Sequence, residues 1–232
     1  MATITSISGG APQPVFDRLA PAFEARGGHT LNALYDTMAG IAERVSAREA
    51  LDILVMPVPL LAAYGEDGTV LPASIAALAT IGLGVGIKQG AAVPDVSTPE
   101  ALKAVLGAAR AVVHAPPGAT PSGAHSDRLI KQLGLAEALA GRVIQRAGLA
   151  GGIALIASGD AEIGIFPKSE IMNAAGVALA GSLPPALQLT TVYGAGVTAA
   201  SAEPGPAADF IDFLREPESR KVWDACGFDP PT

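Results

Sequence analysis

Cysteine is all but missing from this chain of 232 residues: Cys226 stands alone, which excludes an intrachain disulfide and a cysteine-rich zinc site. His29, His114 and His125 are scattered, so no metal-ligand spacing is legible and neither a metal nor another cofactor is expected. Aromatic residues make up 4% of the chain, too few for the stacking platforms of a sugar site. No apolar run reaches about 18 to 20 residues free of charge and turn signals, so no segment is expected to enter a membrane. Net charge is −7 with no basic cluster, which excludes a general nucleic-acid surface. Also missing are a GxSxG elbow, a phosphate-binding GxxxxGK[ST] loop, an HExxH pair and a complete dinucleotide fingerprint. The start lacks the basic and apolar regions of an export signal. As given, the chain is expected in the cytoplasm; if trimmed from a longer precursor, it is expected in the periplasm.

Half of the residues are apolar and 16% are charged, a balance that folds rather than stays disordered. The length suits one domain or two small lobes. A β-type run, Ile4 to Ile7, meets Gly9-Gly10, and then Val15, Leu19 and Phe23 recur at helical spacing. Strand and helix patterns alternate from there: Thr30 to Tyr35, a helix with Met38, Ile41, Ala42 and Val45 on one face, and the buried-strand run Ile53 to Met56. Ser97/Thr98 with Pro99 marks a further helix start. Ala111 to His114 reads as a strand, and Leu129, Ile130 and Leu133 form the inner face of the helix after it. The terminal part reads as two helices broken at Glu216-Pro217, and Cys226 as a packed, inert thiol. The alternation predicts an α/β layered fold with mainly parallel strands.

Two β-type stretches, near residues 81–88 and 188–197, divide the pattern. The first, within TIGLGVGIKQG, carries GxGxG spacing, but no helix opens from it; its glycines weaken a strand and permit bending. Residues 1–82 with 195–232 are expected to form one lobe and 83–194 an inserted second, joined by a two-strand hinge with a ligand cleft. The chain is expected to be a monomer.

In open α/β sheets ligands bind beyond the carboxyl ends of strands, where loops lead into helices. Four such loops are legible: Gly9-Gly10-Ala11, Tyr35-Asp36-Thr37-Met38, Thr120-Pro121-Ser122-Gly123-Ala124 and Phe166-Pro167-Lys168-Ser169. Pro57 ends another strand in the same way. Helix-start N–H groups, the hydroxyls of Thr37, Thr120 and Ser122, and Lys168 suit a small anion. Each residue also has an ordinary structural role open to it, as cap, turn former or solvated lysine. For a proton-transfer reaction, Asp36, His114 and His125 are the candidate bases, and nothing in the sequence singles one out.

Five segments, SISGGAPQPVFDRLAPAFE, AREALDILVMPVP, TPSGAHSDRLIKQLGL, ASGDAEIGIFPKSEI and ADFIDFLREPESRKVWDACGF, taken in order, resemble type 2 periplasmic binding proteins. The branch is the molybdate-binding-protein-like one among bacterial solute-binding proteins. The resemblance implies two α/β lobes with mixed sheets, a small anion in the cleft and, for an exported chain, an ABC transporter permease as partner. By position it implies ligand loops at Gly10-Ala11, Thr37-Met38, Ser122, Leu149 and Pro167. Molybdate binders tend to place serine where this chain has Ala11 and Met38, and tyrosine where it has Pro167. Each missing hydroxyl donor is worth about 1 kcal/mol net, which weighs against molybdate or tungstate and for a small carboxylate. The same broad family includes aconitate isomerase, so an isomerase of small carboxylic acids is the alternative expectation.

Overall fold

The alternation of strand and helix is realised in two compact units within a computed structural model that describes residues 1–231. The first unit comprises Met1–Ile81 and the chain from Thr191 onward; the second is Gly82–Thr190. In the first, β1 (Thr3–Ser8) lies between β2 (Thr30–Tyr35) and β3 (Ile53–Pro57), parallel to both. Strand β9 (Thr190–Val197) returns antiparallel on β3. Because parallel neighbours need a crossover, β1 leads into α1 (Gln13–Gly27) and β2 into α2 (Met38–Ser46). Helix α3 (Val58–Glu66) follows β3.

Val15, Phe16, Leu19 and Phe23 are the buried stripe of α1, as their spacing predicts. They meet α8 (Pro204–Arg215) and α9 (Pro217–Ala225) through an aromatic cluster. Phe16 stands edge-on to Phe210 at 5.6 Å and to Trp223 at 6.4 Å, and Trp223 edge-on to Phe228 at 4.8 Å. The Trp223 indole N–H donates to the Leu214 carbonyl at 3.0 Å, so the ring is buried with its polar atom satisfied. Cys226 is buried in the same cluster, and desolvation raises its thiol pKa, which keeps it in the unreactive thiol form. Ile7, Leu54, Met56 and Leu61 form a separate core with Ile41 of α2.

In the second unit, β5 (Val112–His114) lies between β6 (Val143–Gln145) and β7 (Ile163–Pro167), parallel to both. Strand β4 (Ala76–Lys88) starts in the first unit and, within the second, pairs antiparallel with β7 and with β8 (Val177–Ser182). Helices α4 (Pro99–Ala108) and α5 (Pro121–Gln132) supply Leu102, Leu106, Leu129 and Ile130 to an aliphatic core. Helices α6 (Gly152–Ser158) and α7 (Lys168–Met172) supply Ile156 and Ile171 to another. Phe166, in that core, is the one aromatic residue of the second unit.

Three features go beyond what the local pattern predicts. The sheets are mixed, as the family resemblance implies and the strand–helix alternation alone does not, because β4 and β9 run against their neighbours. Strands β6 and β8 leave too little pattern to read: β6 has three residues, and β8, VALAGS, is built largely from alanine, glycine and serine. The glycines of β4 make room for neighbours. A β-carbon on Gly84 would collide with Leu179 and one on Gly82 would crowd Gln188, whose side chain bonds both backbone groups of Leu83.

Phe16→Ala, which empties the centre of the aromatic cluster, is expected to cost about 3–5 kcal/mol of stability. Urea unfolding followed by far-ultraviolet circular dichroism reads the loss directly.

Candidate functional site

The carboxyl ends of β1, β2 and β3 share one edge of the first unit's sheet, and each opens into a helix there. After β1, Gly9 donates its N–H to the Val55 carbonyl at 3.3 Å, and the Gly10 carbonyl accepts from Gln13 N–H at 3.1 Å. The bare α-carbon of Gly9 is a steric requirement: a β-carbon would lie 2.8 Å from the Met38 methyl and 3.2 Å from the Tyr193 hydroxyl. Ala11 is buried beside it. Pro57 ends β3, also buried, and precedes α3.

After β2, Thr37 caps α2, its Oγ1 accepting from Gly40 N–H at 3.1 Å. Asp36 is occupied on both oxygens. Oδ1 accepts from Thr37 N–H at 2.8 Å, and Oδ2 pairs with Arg44 Nε at 3.1 Å. Gly40 has no side chain because the Asp36 carboxylate fills that space. Tyr35 donates its hydroxyl to Asp17 Oδ1 at 3.1 Å, and desolvation with the nearby Asp17 charge raises its pKa.

The second unit repeats the arrangement, with the carboxyl ends of β5, β6 and β7 on one edge. Thr120 caps α5: Oγ1 accepts from Gly123 N–H at 3.0 Å and lies 3.0 Å from Ser122 Oγ. A β-carbon at Gly123 would overlap the Ala115 and Pro116 carbonyl oxygens, so glycine alone lets the helix start this close to the strand end. Leu149, 41% exposed, sits in the short turn after β6. Pro167 ends β7 buried, and Lys168, half-buried, begins α7. The notional β-carbon of Gly84 lies 3.3 Å from Lys168 Cγ, so the lysine stem packs over β4.

The two histidines are held structurally. His114 is fully buried, its Nδ1 2.8 Å from the Ala115 carbonyl, and desolvation lowers its pKa, which favours the neutral ring. Its Nε2 has no hydrogen-bond partner among the described residues. His125 places Nε2 2.7 Å from the Leu187 carbonyl.

Glu170 stands apart from the residues the sequence singles out. It lies in α7, three residues past the end of β7, with its carboxyl over Gly148, where a β-carbon would overlap Oε2. The residue keeps some exposed surface, and desolvation of its carboxyl raises its pKa to about 7. Its sequence signal, an acid in the first turn of a helix, is an ordinary dipole-stabilising one. The contact with Gly148 spans a stretch of chain that local pattern does not connect.

Comparisons with known proteins point one way. The profile of a family described as bacterial extracellular solute-binding protein matches residues 4–229. An aconitate isomerase from a Pseudomonas species is 25% identical over 236 residues, covering 98% of this chain and 88% of that protein. The fold is that of type 2 periplasmic binding proteins. The Azotobacter vinelandii periplasmic molybdate-binding protein superposes with a TM-score of 0.83 at 20% identity, covering 99% of this chain and 100% of that one. The sulfate-binding protein SubI of Mycobacterium tuberculosis H37Rv superposes with a TM-score of 0.77 at 18% identity, covering 99% and 87%.

The raised pKa of Glu170 has a stability consequence. Below the ordinary carboxyl value of 4.5 both folded and unfolded chains hold the proton. Between there and about 7 the unfolded chain ionises first, so the folded state loses stability as pH rises, and above about 7 the loss is constant. Glu170→Gln removes that dependence. Its melting temperature relative to the parent chain is expected to climb between the two values and level off above them; parallel thermal-melt profiles would contradict this.

Proposed function

This chain belongs to the bacterial extracellular solute-binding protein family, and from that premise we propose that it binds a small organic carboxylate. One observation carries the choice of ligand. At the helix starts, backbone N–H groups and the hydroxyls of Thr37, Thr120 and Ser122 are interspersed with apolar side chains at Ala11, Met38, Leu149 and Pro167. A tetrahedral oxyanion offers only oxygens and needs a donor in every direction. A carboxylate gathers its acceptors at one end and has a carbon skeleton for apolar neighbours. Lys168 adds a positive charge. In an exported chain, the bound solute would be handed to an ABC transporter permease.

The second reading, an isomerase acting on such an acid, is carried by the 25% identity to an aconitate isomerase across 98% of this chain. Asp36 is engaged on both oxygens and must leave a partner to act as a base, whereas each histidine donates one ring N–H to a backbone carbonyl, of Ala115 or of Leu187, and keeps its basic nitrogen on the other side of the ring. Incubation of the purified protein with cis- or trans-aconitate, followed by proton NMR, distinguishes the readings. Binding without turnover supports the first; interconversion of the two acids supports the second.

For the binding site itself, sulfate, molybdate, citrate, cis-aconitate and trans-aconitate are compared by thermal shift, since a ligand of the native state raises the midpoint. Calorimetry then gives the affinities. The carboxylates are expected to bind more tightly than the two oxyanions. Ser122 is the second residue of α5, where an N–H has no acceptor within the helix and proline is tolerated. Ser122→Pro therefore removes two donors, the N–H and the hydroxyl, and leaves the helix in place, which an unchanged melting temperature checks. A hydrogen bond to a charged group is worth about 1.5–3 kcal/mol, so Ser122→Pro and Lys168→Ala are each expected to weaken binding by about tenfold to a hundredfold. Unchanged affinity in both variants would sink the assignment of these residues.

A further inference from the structure

We propose that Glu170 is a specificity-determining residue of the anion site, and that the site takes up one proton with its ligand and so recognises a proton–anion pair. The inference rests on the anion-binding reading above and deepens it. Its basis is the position of one carboxyl group. Strands β5, β6 and β7 end on a common edge, and three chain segments leave that edge: the α5 start with its Thr120 cap, the Gly148–Leu149 turn and the α7 start at Lys168. Glu170 belongs to the third segment and reaches the second, its carboxyl lying on Gly148.

No described residue gives that carboxyl a hydrogen bond or an ion pair. Of the segments packed on α7, β7, β8, α6 and the turn at 148–150 contain no titratable side chain, and β4, which meets Lys168 at Gly84 and Ile171 at Gly86, carries only Lys88, whose ammonium donates to the Ser158 carbonyl at 3.2 Å. The charged groups nearby in sequence are Lys168, on α7 itself, and the exposed Arg146, ahead of the turn. An ionised, unpaired carboxylate among donors that serve an anion would repel it. A protonated carboxyl does the opposite, because its O–H donates to a ligand oxygen. That donor, lying on Gly148, would serve a stretch of the edge whose neighbours in sequence, Leu149 and Pro167, have no side-chain hydroxyl. Desolvation already raises the Glu170 pKa to about 7, and a bound anion raises it further. Ligand and proton thus favour each other.

The test is calorimetry with whichever of the five anions named above binds most tightly, at pH 6 and pH 8, in buffers of different ionisation enthalpy. With the free residue titrating near 7, affinity is expected to be about tenfold weaker at pH 8 than at pH 6. Near neutrality the buffer dependence of the heat should show a net proton taken up. Glu170→Gln, whose amide donates at any pH, is expected to bind with little pH dependence, and subtracting its profile removes any titration of the ligand itself. Lys168→Ala is expected to bind more weakly yet keep the parent pH dependence. Should Glu170→Gln not fold, proton uptake by the parent protein decides alone. Binding that is equally tight at both pH values, with no proton uptake, overturns this inference and leaves anion binding intact. Failure of all five anions to bind overturns the anion-binding reading and this inference with it.

Discussion

Parallel pairing is the constraint from which the rest of this structure follows. Two parallel strands cannot be joined by a tight turn; the chain must cross over, and here it usually does so as a helix packed on the sheet. Strands β1, β2 and β3 in one unit, and β5, β6 and β7 in the other, therefore end on a common edge, and helices begin there. Unsatisfied N–H groups at helix starts are thereby collected without any residue being dedicated to the purpose. Side chains add the local detail, with Thr37 and Thr120 holding the first turns of α2 and α5. The antiparallel returns of β4 and β9 carry the chain from one unit to the other and back.

That geometry works only where backbone can lie close to its neighbours. At Gly123 the helix start rests against two carbonyl oxygens, and at Gly9 the turn is crowded by Met38 and Tyr193. Substituting either glycine would displace the turn rather than merely fill a gap. Asp36 and Gly40 show the same economy: one carboxylate fixes the start of α2, pairs with Arg44 and takes the space of a missing side chain.

Much of the fold is legible in the sequence because its signals are local. The four-residue recurrence of Val15, Leu19 and Phe23 marks the buried face of α1, and Thr98-Pro99 marks a helix start whose cap is observed. Strand direction is not local, so the antiparallel placement of β4 and β9 escapes pattern reading. The short β6 escapes because its residues form a strand only through pairing with β5. For the candidate site, the loops can be read and the chemistry cannot. His114 looks available at a strand end and is fully buried, whereas Glu170 looks like an ordinary helix acid and has a displaced pKa. In both, the deciding fact is desolvation by residues distant in the sequence.

The uneven spread of aromatic residues, noted in the packing of the two cores, also governs how the molecule meets light. The single tryptophan and all three tyrosines belong to the first unit, and Phe166 is the second unit's only ring among the phenylalanines, tyrosines and tryptophan. Near-ultraviolet absorption and intrinsic emission thus come almost wholly from one half of the chain. Trp223 packs edge-on to Phe16 and Phe228 within the first unit's aromatic cluster. The second unit has no tryptophan or tyrosine of its own to report on Ser122, Lys168 and Glu170. A tryptophan placed on the second unit's surface would give each half its own colour of report.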